Sequence, residues 1–200
     1  MQGSRTVRNT ISIVNFSALL LFVGSIANAD GSVEVHGISA SEFSEPQTWG
    51  SAKNVISVKH IYMSGQIDEE SLKVARENGV AAVINMRGPD ELKWDEEAAT
   101  VAAGLDYFNV PVVPDEEGFD ADAIEEVTRL VGQYKGDKVL LHCSSGNRVS
   151  GWLAIHLVDD HGMQLDSAIE LAKLANMTKP TTEQGVREFY GEHTDAAIKK

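Results

Sequence analysis

Short apolar runs alternate with amphipathic segments from about residue 55 to residue 160, and this order restricts the possible fold more than any other feature. The runs at 80–85 and 138–142 are apolar at almost every position and have the length of strands buried on both faces. The segment 121–134, between two such runs, places apolar side chains at helical spacing. Strands that alternate with helices predict an α/β fold, with a mostly parallel central sheet flanked by helices.

The same patterns predict the remaining elements of the chain. Further strands are predicted at 32–36, 55–58, 60–63 and 105–110, and further helices at 68–78, 89–103, 148–160, 164–175 and 182–190. In a parallel sheet, the loops that follow the strands meet at one edge, and ligands bind there. The loops after Asn85, Val110 and His142 are therefore expected to lie together.

The first 29 residues have the pattern of a secretory signal peptide. A basic start is followed by an apolar stretch over residues 11–26 and by the small-residue triplet Ala27-Asn28-Ala29. A retained membrane anchor is the alternative, but the apolar stretch is short and contains polar residues. We therefore expect an exported protein, periplasmic or secreted, that is free of the membrane after cleavage. Residues 30–54 are then a loose lead-in, and residues 55–200 form one domain.

The formal net charge of −13 at pH 7 restricts the possible partners. An acidic surface repels nucleic acid and anionic membranes, so neither is expected as a partner. Local geometry, and not long-range attraction, must therefore hold any anionic ligand. His156 and His161 do not have the spacing of metal ligands, and the sequence has no cluster of cysteines and histidines. We expect neither a metal nor another cofactor.

The single cysteine, Cys143, stands between a predicted strand and a predicted helix, in the sequence His142-Cys-Ser-Ser-Gly-Asn-Arg148. A lone cysteine in an exported protein is open to oxidation, which suggests that the thiol has a use; an inert buried thiol is the alternative. A helix N-terminus and loop N–H groups favour the nucleophilic thiolate. Arg148 offers a planar pair of donors to an oxyanion. The loop residues predicted to surround such an anion are Ser144, Ser145, Gly146, Asn147 and Arg148.

Three further side chains near the predicted sheet edge are candidates. His142 is expected to point into the core as a hydrogen-bonded side chain, in preference to a direct acid–base role. Arg87 either supports the site or pairs with Asp90 or Glu91, and the local pairing is favoured. Asp115 lies on an acidic loop beyond another strand, where the alternatives are a role in the site and a solvated surface.

Three motifs, in this order along the chain, carry a resemblance to a known family. They are residues 61–66 (Ile-Tyr-Met-Ser-Gly-Gln), residues 83–87 (Val-Ile-Asn-Met-Arg) and residues 142–148. Over about residues 55–177, the sequence resembles the bacterial phosphatase-like domain of beta-lactamase-hydrolase-like proteins. That family is similar to the dual-specificity phosphatases within the cysteine phosphatase superfamily.

The resemblance implies a hydrolase that acts on phosphate monoesters, of a protein or a small molecule, through a phosphocysteine intermediate. It implies that Cys143 is the nucleophile and that Arg148 and the loop amides hold the phosphoryl oxygens. It also implies that Asp115, which follows Pro114, is the general acid.

Two departures from the family pattern leave other functions open. Four residues separate Cys143 from Arg148, one fewer than in most cysteine phosphatases, and Val149 stands where a serine or threonine usually follows the arginine. The shorter loop is similar to that of single-domain rhodaneses, which suggests a sulfurtransferase with a Cys143 persulfide as the first alternative. A catalytically inactive anion-binding module is the second alternative.

Overall fold

The computed structural model describes residues 38–112 and 118–191, which form a six-stranded sheet flanked by helices. The strands are β1 (Gln47–Trp49), β2 (Ala52–Val58), β3 (Ile61–Ser64), β4 (Val80–Asn85), β5 (Asp106–Asn109) and β6 (Lys138–His142). The helices are α1 (Glu69–Glu77), α2 (Glu96–Ala102), α3 (Ala121–Gln133), α4 (Asn147–Asp159), α5 (Leu165–Leu174) and α6 (Pro180–Phe189). Short 3-10 turns cover Ala40–Glu42 and Pro89–Glu91.

The strands lie in the order β1-β2-β3-β6-β4-β5. The pairs β3–β6, β6–β4 and β4–β5 are parallel, whereas β1–β2 and β2–β3 are antiparallel. This arrangement confirms the predicted α/β class with a mostly parallel central sheet. The parallel arrangement brings the ends of β4, β5 and β6 to one edge of the sheet.

Both faces of the sheet are buried, which explains why the central strands are apolar at successive positions. In β6, Val139 and Leu141 pack into the cluster that contains apolar residues of α3, α4, α5 and α6, whereas Leu140 packs into the cluster that contains residues of α1. In β4, Ile84 packs into the first of these clusters and Val83 packs into the second. Successive side chains of a strand point to opposite faces, so a strand between two helical layers needs an apolar residue at each position.

The helix predicted over residues 89–103 is wrong in its first half. Pro89–Glu91 forms only a 3-10 turn, and α2 begins at Glu96. Asp95 caps α2, because its side chain accepts a hydrogen bond from the Ala98 backbone N–H at 3.0 Å. The break between the turn and α2 lets Trp94 pack against the cluster beside α1.

The predicted loose lead-in is also corrected over residues 38–54. This segment contains β1, and Trp49 at its end is only 2 % exposed. The Trp49 ring lies 4.8 Å from the Tyr62 ring, measured between ring centroids. The backbone carbonyl of Trp49 accepts a hydrogen bond from Ser71 Oγ at 2.6 Å. The proposed signal peptide and the strand predicted at 32–36 lie outside the described residues. No helix within the described ranges combines the length and the apolar character needed to cross a membrane.

Candidate active site

The loops that follow β4, β5 and β6 meet at one edge of the sheet, as the predicted parallel order requires. The Met86 N–H donates to the His142 carbonyl at 2.9 Å, and the Val110 N–H donates to the Asn85 carbonyl at 2.9 Å. Arg148 Nη1, from the start of α4, donates to the Met86 carbonyl at 3.2 Å. These bonds hold the three chain segments together around the loop that contains Cys143.

Cys143 lies in the loop that joins β6 to α4 and is only 1 % exposed. The Gly146 N–H donates a hydrogen bond to Cys143 Sγ at 3.1 Å, and Gly146 is the residue that precedes the first turn of α4. Ser150 Oγ donates to the Gly146 carbonyl at 3.0 Å and so holds this turn. The hydrogen bond to sulfur and the N-terminal end of α4 both direct positive electrostatic potential at Cys143 Sγ.

Gly146 adopts a backbone conformation that disfavours other residues. Its φ is +86°, and a Cβ atom at this position would lie 2.8 Å from Asn176 Cβ. We expect Gly146→Ala to lower the free energy of unfolding by about 1–3 kcal/mol, measured by urea denaturation. Gly132→Ala is the control, because a Cβ there meets no atom within 4 Å and the site lies within α3. Equal stability in the two variants would contradict the proposed strain at Gly146.

Arg148 is held by a carboxylate that the sequence analysis did not place at the site. Its Nη1 and Nη2 donate to the two carboxylate oxygens of Glu91, each at 2.7 Å. Ser144 Oγ joins this arrangement, since it donates to Glu91 Oε1 at 2.8 Å and accepts from Arg148 Nη2 at 3.1 Å. Burial opposes the charge of Arg148, but the hydrogen bonds to Glu91 and the charge of Cys143 raise its pKa. The guanidinium therefore keeps its positive charge beside the cysteine.

The favoured pairing of Arg87 with Asp90 or Glu91 is wrong. Glu91 bonds to Arg148, and the carboxylate beside Arg87 belongs to Glu96, whose Oε2 lies 3.9 Å from Arg87 Nη1. The 3-10 turn is the physical reason, because it directs Glu91 toward its own Gly88 N–H and toward Arg148. The only sequence signal for this role is an acidic residue shortly after Gly88-Pro89, and that signal is weak.

The hydrogen bonds from Arg148 lower the pKa of Glu91 from 4.5 to about 2, against the smaller opposing effect of burial. The carboxylate is therefore ionised in the folded protein at pH values well below those at which an ordinary glutamate is protonated. Its interaction with Arg148 is fully present above pH 4.5 and is lost only as the pH falls toward 2.

We expect Glu91→Gln to lower kcat/KM about 10-fold, because an amide cannot accept from both terminal nitrogens of Arg148. Any loss of wild-type activity on the acidic side above pH 4.5 should persist in this variant, since Glu91 does not titrate there. A pH–rate profile of both proteins measures this. Glu126→Gln, which removes an exposed pair with Arg129, is the control. An acidic limb that disappears in Glu91→Gln would show that Glu91 itself titrates in the working range.

His142 points into the core, as predicted, and its Nε2 is hydrogen-bonded, whereas its Nδ1 has no hydrogen-bond partner among the described residues. The side chain is fully buried, and its Nε2 lies 2.7 Å from Glu96 Oε1. The same carboxylate accepts from Asn85 Nδ2 at 2.8 Å and from Gln66 Nε2 at 3.3 Å. Burial by itself raises the pKa of the Glu96 carboxyl, but the hydrogen bonds from His142 and Gln66 and the charge of Arg87 bring it below its usual value. Glu96 therefore stabilises a buried polar cluster beneath the cysteine loop.

Asn147, a predicted anion-binding residue, directs its side chain to another segment of the chain. Its Oδ1 accepts from the backbone N–H groups of Thr178 and Lys179, both at 2.9 Å. Its Nδ2 donates to Ser145 Oγ at 3.1 Å and to Thr178 Oγ1 at 3.2 Å. The side chain thus braces the loop against the segment before α6, and only the backbone of Asn147 is available to an anion.

A groove of about 310 Å³ opens on the loop. It is lined by Glu91, Ser144, Ser145, Asn147, Arg148, Lys179, Thr181 and Thr182. Asp115 lies outside the described residues, but the segment that leads to it begins beside the loop, where the Val112 N–H donates to the Met86 carbonyl at 3.2 Å. Within residues 38–112 and 118–191, no three histidine, cysteine or acidic side chains are grouped so that they could hold a metal ion.

Comparisons with known proteins agree on one family and one fold. The sequence profile of the beta-lactamase hydrolase-like protein, phosphatase-like domain, matches residues 55–158. A search of the curated proteins gave no match.

Three solved structures illustrate the likeness of the fold. A DUF442 protein from Shewanella putrefaciens CN-32 is 22% identical, with 86% of this chain and 99% of that chain covered and a TM-score of 0.53. TpbA from P. aeruginosa, solved in complex with phosphotyrosine, is 15% identical, with 76% and 85% covered and a TM-score of 0.56. A kinase-associated phosphatase whose catalytic-site cysteine is replaced by serine is 13% identical, with 64% and 84% covered and a TM-score of 0.56. At these identities the likeness establishes the fold.

Proposed function

The chain belongs to the phosphatase-like domain family of beta-lactamase hydrolase-like proteins, and from this premise we propose that it hydrolyses phosphate monoesters through a phosphocysteine intermediate on Cys143. One observation carries the proposal. Cys143 Sγ accepts the Gly146 N–H at the start of α4, and the guanidinium of Arg148 is fixed beside the same loop by Glu91. A nucleophile, a helix N-terminus and a planar cation are thus combined around one small volume.

In the proposed reaction, the Cys143 thiolate attacks phosphorus, and the bond from phosphorus to the ester oxygen breaks. The leaving alkoxide takes a proton from Asp115. Water then attacks the phosphocysteine, Asp115 takes up a proton from that water, and the thiolate and inorganic phosphate are released. This role of Asp115 rests on its position after Pro114, on the loop that follows β5.

The phosphoryl oxygens gain negative charge in the transition state, and the loop supplies donors to them. Backbone N–H groups of Ser144, Ser145, Gly146 and Asn147 and the guanidinium of Arg148 fill this role in the proposal. Glu91 contributes by holding Arg148 in one orientation before substrate binds. The Arg148 side chain therefore loses less conformational freedom when substrate binds.

We further propose that the protein acts after export, in the periplasm or outside the cell, because residues 1–29 have the signal-peptide pattern. Its partner is a phosphorylated substrate. The acidic surface disfavours nucleic acid and anionic membranes as partners.

A parallel assay of the purified protein tests the proposal against sulfur transfer. One arm measures phosphate release from an aryl phosphate, and the other measures thiocyanate formation from thiosulfate and cyanide. Turnover of the aryl phosphate alone is the expected result. Turnover of thiosulfate alone would replace the phosphatase with a sulfurtransferase, and turnover in neither arm would favour the inactive anion-binding module.

Asp115→Asn is expected to lower kcat about 100-fold on an alkyl phosphate, because an alkoxide cannot leave without a proton. The loss on an aryl phosphate with a good leaving group should be much smaller. Measured kcat values on both esters check this, with Glu116→Gln as the neighbouring control. A loss that follows Glu116→Gln would show that the fold prediction is right and the general acid is misassigned.

A further inference from the structure

A second pocket, of about 490 Å³, shares no lining residue with the groove described above. Gln66, Arg87, Lys93 and Trp94 line it, together with residues 68–70 at the start of α1. The pocket adjoins the loop closely, because the Gln66 N–H donates to the Ser144 carbonyl at 3.2 Å. Arg87 follows Met86, whose carbonyl accepts from Arg148. Two residues that line the pocket are thus joined to the loop through their backbone or through the residue before them.

Arg87 lines this pocket and has buried donors without hydrogen-bond partners among the described residues. The residue is only 6 % exposed, and its backbone is fixed because its N–H donates to Asn85 Oδ1 and its carbonyl accepts from Asn109 Nδ2, each at 2.9 Å. Within the described ranges, neither Nε nor Nη1 of Arg87 has a hydrogen-bond partner. Buried donors without partners are costly, and most native proteins avoid them.

Glu96 does not relieve this cost. Its Oε2 lies 3.9 Å from Arg87 Nη1, which is beyond hydrogen-bond distance. The Glu96 carboxylate already accepts hydrogen bonds from His142, Asn85 and Gln66. The guanidinium of Arg87 therefore lies close to a carboxylate that does not accept its hydrogen bonds, and its buried Nε and Nη1 remain without partners among the described residues. Gln66 Oε1 is likewise buried without a hydrogen-bond partner.

We propose that this pocket binds a second anionic group, a carboxylate or a phosphate, on the leaving-group side of a small-molecule phosphate monoester. Arg87 is the recognition residue, because a carboxylate or phosphate matches its planar donors. Exposed Lys93 adds positive charge, and half-buried Trp94 offers a flat apolar surface to the part of the molecule that joins the two anions.

The dimensions and charge of the pocket favour a small molecule over an acidic peptide. A volume of about 490 Å³ falls in the range of small-molecule sites. Residues 68–70, an aspartate and two glutamates, line the same pocket, so an extended polyanion would meet repulsion there. This inference rests on the proposed phosphatase function, because it assigns the scissile phosphate to the loop of Cys143.

The experiment uses stable phosphonates, so that binding is measured without turnover. Phenylphosphonate carries one anionic group, whereas 3- and 4-carboxyphenylphosphonate and benzene-1,4-diphosphonate carry a second one. Titration calorimetry with the wild-type protein in about 0.15 M salt compares their Kd values, since salt at this level screens the acidic surface. We expect at least one disubstituted ligand to bind about 10-fold tighter than phenylphosphonate. The carboxylate and diphosphonate arms show which second anion the pocket prefers.

Two variants locate the gain in affinity. Arg87→Gln should remove it. Lys93→Glu changes an exposed residue, where folding should be unaffected, and should reduce the gain several-fold. Lys53→Glu is the matched control, because Lys53 is an exposed lysine of β2 that does not line the pocket. The proposal is overturned if no disubstituted ligand binds tighter than phenylphosphonate, or if the gain survives both variants.

The two proposals fail in different ways. If the aryl phosphate is not hydrolysed but the gain in affinity depends on Arg87, the pocket assignment holds and the phosphatase proposal falls. If the aryl phosphate is hydrolysed but the second anion gives no gain, only the pocket assignment falls. If the aryl phosphate is not hydrolysed and none of the phosphonates binds, both are overturned.

Discussion

Cys143→Ser is expected to abolish phosphate release from an aryl phosphate, with kcat reduced at least about 10⁴-fold. A serine hydroxyl at this position is not ionised near neutral pH, and the loop contains no base that could activate it. The Gly146 N–H can donate to a serine oxygen as it does to Cys143 Sγ, so the loop should keep its shape. Titration calorimetry should therefore still detect binding of inorganic phosphate to the variant.

Alkylation of the wild-type protein provides an independent readout. The chain has a single cysteine, so the alkylated fraction in an intact-mass spectrum reports Cys143 alone. Phosphate and vanadate should slow the reaction of iodoacetamide, because they occupy the loop that surrounds the sulfur. Undiminished turnover in Cys143→Ser would place the nucleophile elsewhere. An alkylation rate that neither phosphate nor vanadate lowers would place the anion site elsewhere.

Arg148→Lys is expected to lower kcat by about 10²–10³-fold although the positive charge is retained. Arg148 bonds to both carboxylate oxygens of Glu91 and also to Ser144 and the Met86 carbonyl. One ammonium group has only three donors and cannot reproduce these four contacts, so the cation is no longer held in one place and plane beside the phosphoryl oxygens. The KM for the aryl phosphate should rise less than kcat falls, because a charge still attracts the ground-state dianion.

Arg129→Lys is the matched control for this substitution. Arg129 also bonds to both oxygens of a glutamate, Glu126, at 2.6 Å, but both side chains are exposed on α3. Urea denaturation and kcat should be close to wild type in this control, because exposed ion pairs contribute little. A kcat close to wild type in Arg148→Lys would show that Arg148 holds the loop in place without contacting the transition state.

The candidate site could be predicted in part because its central loop is contiguous in sequence. Cys143, Gly146 and Arg148 lie within one strand–loop–helix segment, so local rules about helix N-termini and anion binding apply directly. The role of Glu91 could not be predicted in this way, because it depends on a break in helix formation after residue 91. Local sequence favoured Arg87 as its partner, and only the backbone path of the 3-10 turn directs Glu91 to Arg148.

The sequence by itself determined the order of the elements and the edge of the sheet at which the site lies. Runs that are apolar at successive positions specify strands buried on both faces of a parallel sheet. Parallel strands bring the ends of β4, β5 and β6 together. Only the tertiary structure decided the partners of the buried polar groups. Glu96, which is remote in sequence from His142, bonds to His142 Nε2 and lies beyond hydrogen-bond distance of Arg87, which lines a pocket. Burial makes such pairings strong, but it arises from packing between segments that no local pattern connects.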